Sequence, residues 1–121
     1  MDEPATLKPV VWIGSSRTDF RRFPDNVKSR VGYALYVAQA GGKHRDAKPL
    51  KGFHGAGVLE VVADHRGDTF RAVYTVRFES AVYVLHAFQK KSKGGIATPR
   101  SEIELIERRL KEAERHAREG E

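Results

Sequence analysis

The side chains best suited to chemistry lie in the stretch from Val58 to Lys93, VLEVVADHRGDTFRAVYTVRFESAVYVLHAFQKKSK. Arg71 comes first, because a guanidinium fork matches phosphate oxygens and stabilises charge developing on a scissile phosphodiester. Lys90 follows at the end of an alternating segment, with Lys91 and Lys93 just beyond it. His86 has the ordinary pKa of a general base, although a histidine flanked by Leu85 and Ala87 is more often half-buried and satisfied. Phe88 has a ring that either stacks on a base or packs inward. Glu60, on a neighbouring segment, is placed to pair with Arg71 and aim it. Together they describe a cleft for an anionic, base-bearing ligand, and RNA fits that description.

Supporting cations lie upstream. Lys48 and Lys51, with Lys43, His44 and Arg45, form a basic stretch suited to steering phosphates, or simply to facing water. The lysines at positions 90, 91 and 93 also have a bland role, since charge at a strand end keeps edges from aggregating. Lys90 alone points into the expected cleft, so it is the candidate for catalysis, while Lys91 and Lys93 are candidates for phosphate contact. His44, His54, His65, His86 and His116 show no metal-ligand spacing, and the acids do not gather on one face, so no metal is expected. No phosphate-binding glycine motif or Ser/His/Asp arrangement stands out, and no cofactor is expected.

The chain has 22 Lys and Arg against 16 Asp and Glu, a net charge of +6. That surplus favours polyanionic partners and concerns association rather than fold. It is concentrated between Lys43 and Lys93, whereas charges from Glu102 to Glu121 nearly balance. The absence of cysteine fits a reducing cytoplasm. The first residues, MDEPATLKP, lack the basic and apolar regions of a signal peptide, and no apolar run approaches the roughly 20 residues of a membrane helix. A soluble, cytoplasmic protein is expected.

The elements that must position these groups read as follows. With 121 residues and no repeat, residues 1–121 are expected to form one domain, with 1–9 a loose lead-in and 117–121 a frayed tail. Val10–Ile13 predicts a strand ended by Gly14. Ser15 or Ser16 caps a helix carrying Phe20 and Phe23 and broken at Pro24. Asp25 opens a second helix whose Val27, Val31, Ala34, Leu35 and Ala38 fall on one stripe, closed by Gly41-Gly42. These two make an αα-hairpin. Lys43 to Gly57 predicts a long basic loop, of the kind that is often functional.

Three antiparallel strands follow. If Arg77 lies opposite Val82, then Phe70, Ala72, Tyr74, Val76, Tyr83, Leu85 and Ala87 share the core face. Arg71 then faces Phe88, with Glu60, His86 and Lys90 on the same side. Thr98-Pro99 predicts a capped start for a last helix, with Ile103, Ile106, Leu110 and Ala113 as its stripe. The fold class is α+β, helices packed on a mainly antiparallel sheet.

The ordered segments AKPLKGF (Ala47–Phe53), GVLEV (Gly57–Val61), GDTFRAVY (Gly67–Tyr74), LHAFQKKSK (Leu85–Lys93) and TPRSEIELIERRL (Thr98–Leu110) resemble the RelE/HigB toxin superfamily, and within it the phage-derived HigB-like branch of type II toxin–antitoxin systems. The resemblance spans about Lys8 to Leu110. It implies a compact RelE-like domain acting as a ribosome-dependent endonuclease that cuts mRNA without a metal, through attack of the 2′-hydroxyl on the adjacent phosphate. It implies a cognate antitoxin, usually a helix-turn-helix protein, as partner. By position, Arg71 matches the strand arginine of a Y/F-R-x-x-Y motif, Lys90 the basic residue ending the last strand, and Lys51 the loop lysine. Relatives often carry Lys or Arg where this chain has Glu60, Val61 and Val62, so Glu60, His86 and Lys90 all remain candidates for the base. A catalytic tyrosine found near the C-terminus of some relatives has no counterpart after Phe88.

Two other readings stay open. One is a non-catalytic toxin of the same fold that poisons gyrase by binding, as ParE-type toxins do. The other is an inert partner-binding module.

Overall fold

The computed structural model describes residues 6–53, 55, 57–90 and 98–120. The elements in chain order are β1 (Val10–Trp12), α1 (Ser16–Arg21), α2 (Asp25–Gln39), β2 (Ala47–Pro49), β3 (Val58–His65), β4 (Asp68–Thr75), β5 (Val82–Lys90) and α3 (Arg100–Glu119). The strands form one sheet in the order β1-β5-β4-β3-β2. Every pairing is antiparallel except that of β1 with β5. This is the expected α+β architecture.

The sheet is covered on both faces. On one, the α2 stripe of Val27, Val31, Ala34, Leu35 and Ala38 packs on Leu59, Val61, Ala63, Phe70, Ala72 and Tyr74. On the other, Ile106, Leu110, Ala113 and Ala117 of α3 pack on Val58, Val73, Tyr83 and Leu85. Burying a Val, Leu or Phe side chain is worth about 1.5–3 kcal/mol, so each layer anchors its helix firmly. Pro24 and then Pro99 stand at the N-caps of α2 and α3, with backbone ψ near 150° and no side-chain cap. Gly41, at φ 89°, turns the chain away from α2.

Three expectations need correction. The stretch after Gly42 is not a loop throughout: Ala47–Pro49 pairs with β3, Lys48 opposite Glu60. A short segment with a proline gives little strand signal, yet proline is tolerated at a sheet edge, where its missing donor faces outward. The register of β4 on β5 holds from Thr69 to Val73 but shifts by one residue beyond, where Tyr74 meets Val84. The irregularity turns Tyr83 and Leu85 to the α3 face instead of the α2 face. Alternation alone cannot reveal it, because both faces are apolar there. Finally, α3 continues to Glu119, and Ala117 is buried in the second core, so the helix outlasts the point where fraying was expected.

Candidate functional site

The β4–β5 register places Arg71 opposite Phe88, and Lys90 opposite Thr69, so Arg71 and Lys90 do share one face of the sheet. That face lies under α3 and is far from open. Arg71 is only 4% exposed and Lys90 9%. Arg71 reaches a hollow of about 370 Å³, lined by Lys48, Pro49, Leu50, Lys51, Glu60, Arg71, Thr98 and Ile103. Strand β2 and the residues after it form one wall, and the start of α3 forms the other. The segment expected to be a loop therefore delivers Lys48 and Lys51, both exposed, to the rim.

At the floor, Arg71 Nη1 donates to Glu60 Oε2 at 2.8 Å and to Thr98 Oγ1 at 3.2 Å. The Thr98 hydroxyl in turn donates to the same Glu60 oxygen at 2.9 Å. This closed triangle fixes both charged groups. Thr98 thus serves the hollow, whereas its sequence position before Pro99 had marked it as a helix cap. Its role was missed for that reason: the T-P signal is real, but the hydroxyl finds a charged acceptor instead of backbone. Among the described residues lining this hollow, three cations stand against one carboxylate, which makes its own lining electropositive.

The remaining candidates go elsewhere. His86 is buried beneath α3, where Nε2 pairs with Glu102 and Arg109 Nη1 lies 3.4 Å from Nδ1. A guanidinium has only donors, so Nδ1 accepts and the proton sits on Nε2, toward Glu102. Burial holds the imidazole below its ordinary value, against the opposing pull of Glu102. Its ring stacks on Phe88, centroids 4.6 Å apart and planes 20° apart. Arg109 completes the arrangement by donating to Leu85 O at 2.9 Å and Ser15 Oγ at 3.0 Å. Nothing in the sequence flagged Arg109, since a helical arginine beside Arg108 reads as solvated surface.

His86 is consequently a poor match for the base role that the sequence left open to it. It does not line the hollow, and both ring nitrogens are engaged within the fold. Phe88 is half-buried and borders a separate depression with Phe23, Phe70 and Gln89. Lys90, expected to point into the same cleft as Arg71, is absent from the lining of the hollow; it sits farther along the face, beside Thr69. Lys91 and Lys93 lie outside the described residues. Among the described residues, no group of three His, Cys, Asp or Glu could hold a metal ion.

Comparison with known families decides the relationship. The model for "Phage derived protein Gp49-like (DUF891)" matches residues 18–111, most of the chain and all of its sheet from β2 onward. The chain belongs to this Gp49-like family. The membership agrees with the phage-derived branch of the RelE/HigB toxin superfamily that the sequence segments resemble. Among solved structures, the RelBE2 toxin–antitoxin complex from Mycobacterium tuberculosis matches at 19% identity and a TM-score of 0.45, covering 75% of this chain and 100% of that one. No curated protein matches the sequence. Among the described residues of the Gp49-like chain, no helix is long and apolar enough to cross a membrane.

Proposed function

We propose that this Gp49-like protein is the toxin of a type II toxin–antitoxin system, a ribosome-dependent endoribonuclease acting on mRNA in the cytoplasm. The observation that carries this reading is the electropositive hollow with the fixed Arg71–Glu60–Thr98 triangle at its floor. In this reading Lys48 and Lys51 bind backbone phosphates at the rim. The 2′-hydroxyl of the bound nucleotide attacks the adjacent phosphorus, and the bond to the 5′-oxygen of the next nucleotide breaks. The products are a 2′,3′-cyclic phosphate and a 5′-hydroxyl end.

Arg71 neutralises charge growing on the non-bridging oxygens, where a preformed donor costs no reorganisation. Glu60 is the carboxylate within reach of the hollow, so it is the group assigned to take the 2′-hydroxyl proton. Its hydrogen bonds from Arg71 and Thr98 hold the carboxylate at the floor of the hollow, where it can face the 2′-hydroxyl. Lys90 is then left to support the site from the sheet, and the leaving 5′-oxygen takes its proton from a rim lysine or from solvent. The partner is a cognate antitoxin, a helix-turn-helix protein, which silences the toxin by covering the hollow or the helical hairpin.

The test is purified protein added to translating ribosomes. Truncated mRNA with 5′-hydroxyl ends is expected, and Arg71→Lys, which keeps the charge and loses the fork, should cut the rate steeply. Intact mRNA would sink the reading. Intact mRNA together with inhibited supercoiling would favour the gyrase-poisoning alternative.

A further inference from the structure

The opposite face of the sheet edge carries a second basic depression that the proposed cleavage does not use. It consists of two adjoining hollows of about 380 and 490 Å³ that share Tyr33, His44 and Arg45. They lie between α2 and the residues leading into β2. Tyr33 and Tyr36 are 58% and 50% exposed, unusual for large rings on a helix whose other face is fully packed. The rings stack on one another, centroids 6.3 Å apart and planes 25° apart. His44 meets Tyr33 edge-on at 5.4 Å. The His44 ring is itself held, because its Nδ1 accepts the backbone N–H of Asp46 at 3.0 Å.

The platform is therefore preorganised, and about half of each tyrosine stays open to solvent. Arg30, Lys43 and Arg45 line the hollows beside Tyr33; the one acid among their described lining residues is Asp46, 3.9 Å from Arg30 and 3.8 Å from His44 Nδ1. Exposed aromatic rings beside cations are the combination that holds single-stranded nucleic acid: rings stack bases and cations follow the phosphates. Tyr and Arg also mark protein interfaces, but the cores of those are depleted of charge, whereas three cations and one acid line these hollows.

We propose that Tyr33 and Tyr36, with Lys43 and Arg45, form a single-stranded RNA-binding surface separate from the Arg71 hollow. It binds RNA whether or not the protein cleaves it. The experiment is a fluorescence anisotropy titration of the full chain with a labelled single-stranded oligoadenylate. Replacing both rings, Tyr33→Ala with Tyr36→Ala, should weaken binding at least about tenfold, since each lost ring removes a base-stacking surface. Tyr33→Phe with Tyr36→Phe should bind like the wild type, because the face of the ring carries the contact. Lys43→Ala with Arg45→Ala should flatten the salt dependence.

Both tyrosines are exposed, so the variants should keep the wild-type thermal melt, and that melt is the control for folding. Unchanged RNA affinity in the double alanine variant overturns the proposal, and so does equal weakening by the phenylalanine pair. Loss of complex formation with a protein encoded beside this gene, at unchanged RNA affinity, would instead give the surface to a protein. Truncation of mRNA on translating ribosomes by Arg71→Lys tests the cleavage reading by a readout other than oligoadenylate affinity, so the two can fail separately.

Discussion

Arg71 reaches diagonally across the β3–β4 ladder to Glu60, 2.8 Å away, and not to Val62, the residue directly opposite it. The diagonal matters because it slants the guanidinium toward the β2 edge, where the two rim lysines wait. The side chains of the pair are 5% and 15% exposed, so it is a nearly dry ion pair that nonetheless borders the hollow. Such a pair does little for net stability compared with an apolar substitute, but it is costly to break from one side.

Arg71→Ala should therefore destabilise the fold by about 3–5 kcal/mol, because it leaves the mostly buried Glu60 carboxyl without its guanidinium partner. Urea denaturation measures this directly. Glu60→Gln combined with Arg71→Ala should recover part of the loss, and a double-mutant cycle should give a coupling above about 1 kcal/mol. Additive single effects would mean that the pair is not coupled in solution. Any loss of RNA cleavage in Arg71→Ala must then be read beside Arg71→Lys, which is expected to fold.

Lys48→Ala and Lys51→Ala should behave in the opposite way. Both residues are exposed, and removing either should change stability by no more than about 0.5 kcal/mol. Binding of single-stranded RNA should weaken, and the slope of log K against log salt should fall by roughly 0.7 for each lost phosphate contact. The readout is a salt titration of RNA affinity. An unchanged slope would show that the rim does not touch phosphate.

How much of this was legible beforehand follows from which contacts are local. The α2 stripe needs only a 3.6-residue period, and Val27 through Ala38 supply it without interruption. The placement of Arg71 opposite Phe88 needs only a ladder with one buried row, and it holds as read. Two features were hidden. The shift past Val73 moves Tyr83 and Leu85 between two faces that are equally apolar, so no pattern penalised the wrong choice. The hollow is assembled from Lys48, Glu60, Arg71 and Thr98, four residues spread over β2, β3, β4 and the approach to α3. Periodicity within any one element cannot state which of them meet. Lys90 illustrates the limit: the right face was legible, but how far along that face it lies from the hollow was not.

His86 should make the fold sensitive to mild acid. Burial lowers its pKa from the ordinary 6.5; Glu102 opposes that shift, Arg109 adds to it, and Asp19 opposes it weakly. As pH falls below about 6.5, the unfolded chain binds a proton that the folded chain still refuses, so stability drops until the folded value is passed. Above that range the contribution is fully present. Thermal melts between about pH 7 and pH 5 should fall more steeply for the wild type than for His86→Gln, which cannot take up the proton. Parallel curves would show that His86 titrates alike in both states.

Tyr74 offers the cleanest test of the core facing α2. It is fully buried, and its hydroxyl has no hydrogen-bond partner among the described residues. Burying a hydroxyl unpaired costs about 1–3 kcal/mol in protein mutational data, while the ring itself packs with Ala72 and Val84. Tyr74→Phe keeps the ring and removes the cost, so it should raise stability by about 1 kcal/mol or more in urea denaturation. The same burial pushes the phenol up to about 12 from 10.0. Between those values the unfolded chain releases its proton and the folded chain does not, so this residue's contribution falls as pH rises. The advantage of Tyr74→Phe should accordingly widen above about pH 10. A destabilised Tyr74→Phe would mean that the hydroxyl has a partner in solution, and the packing of Tyr74 on the α2 face would need to be redrawn around it.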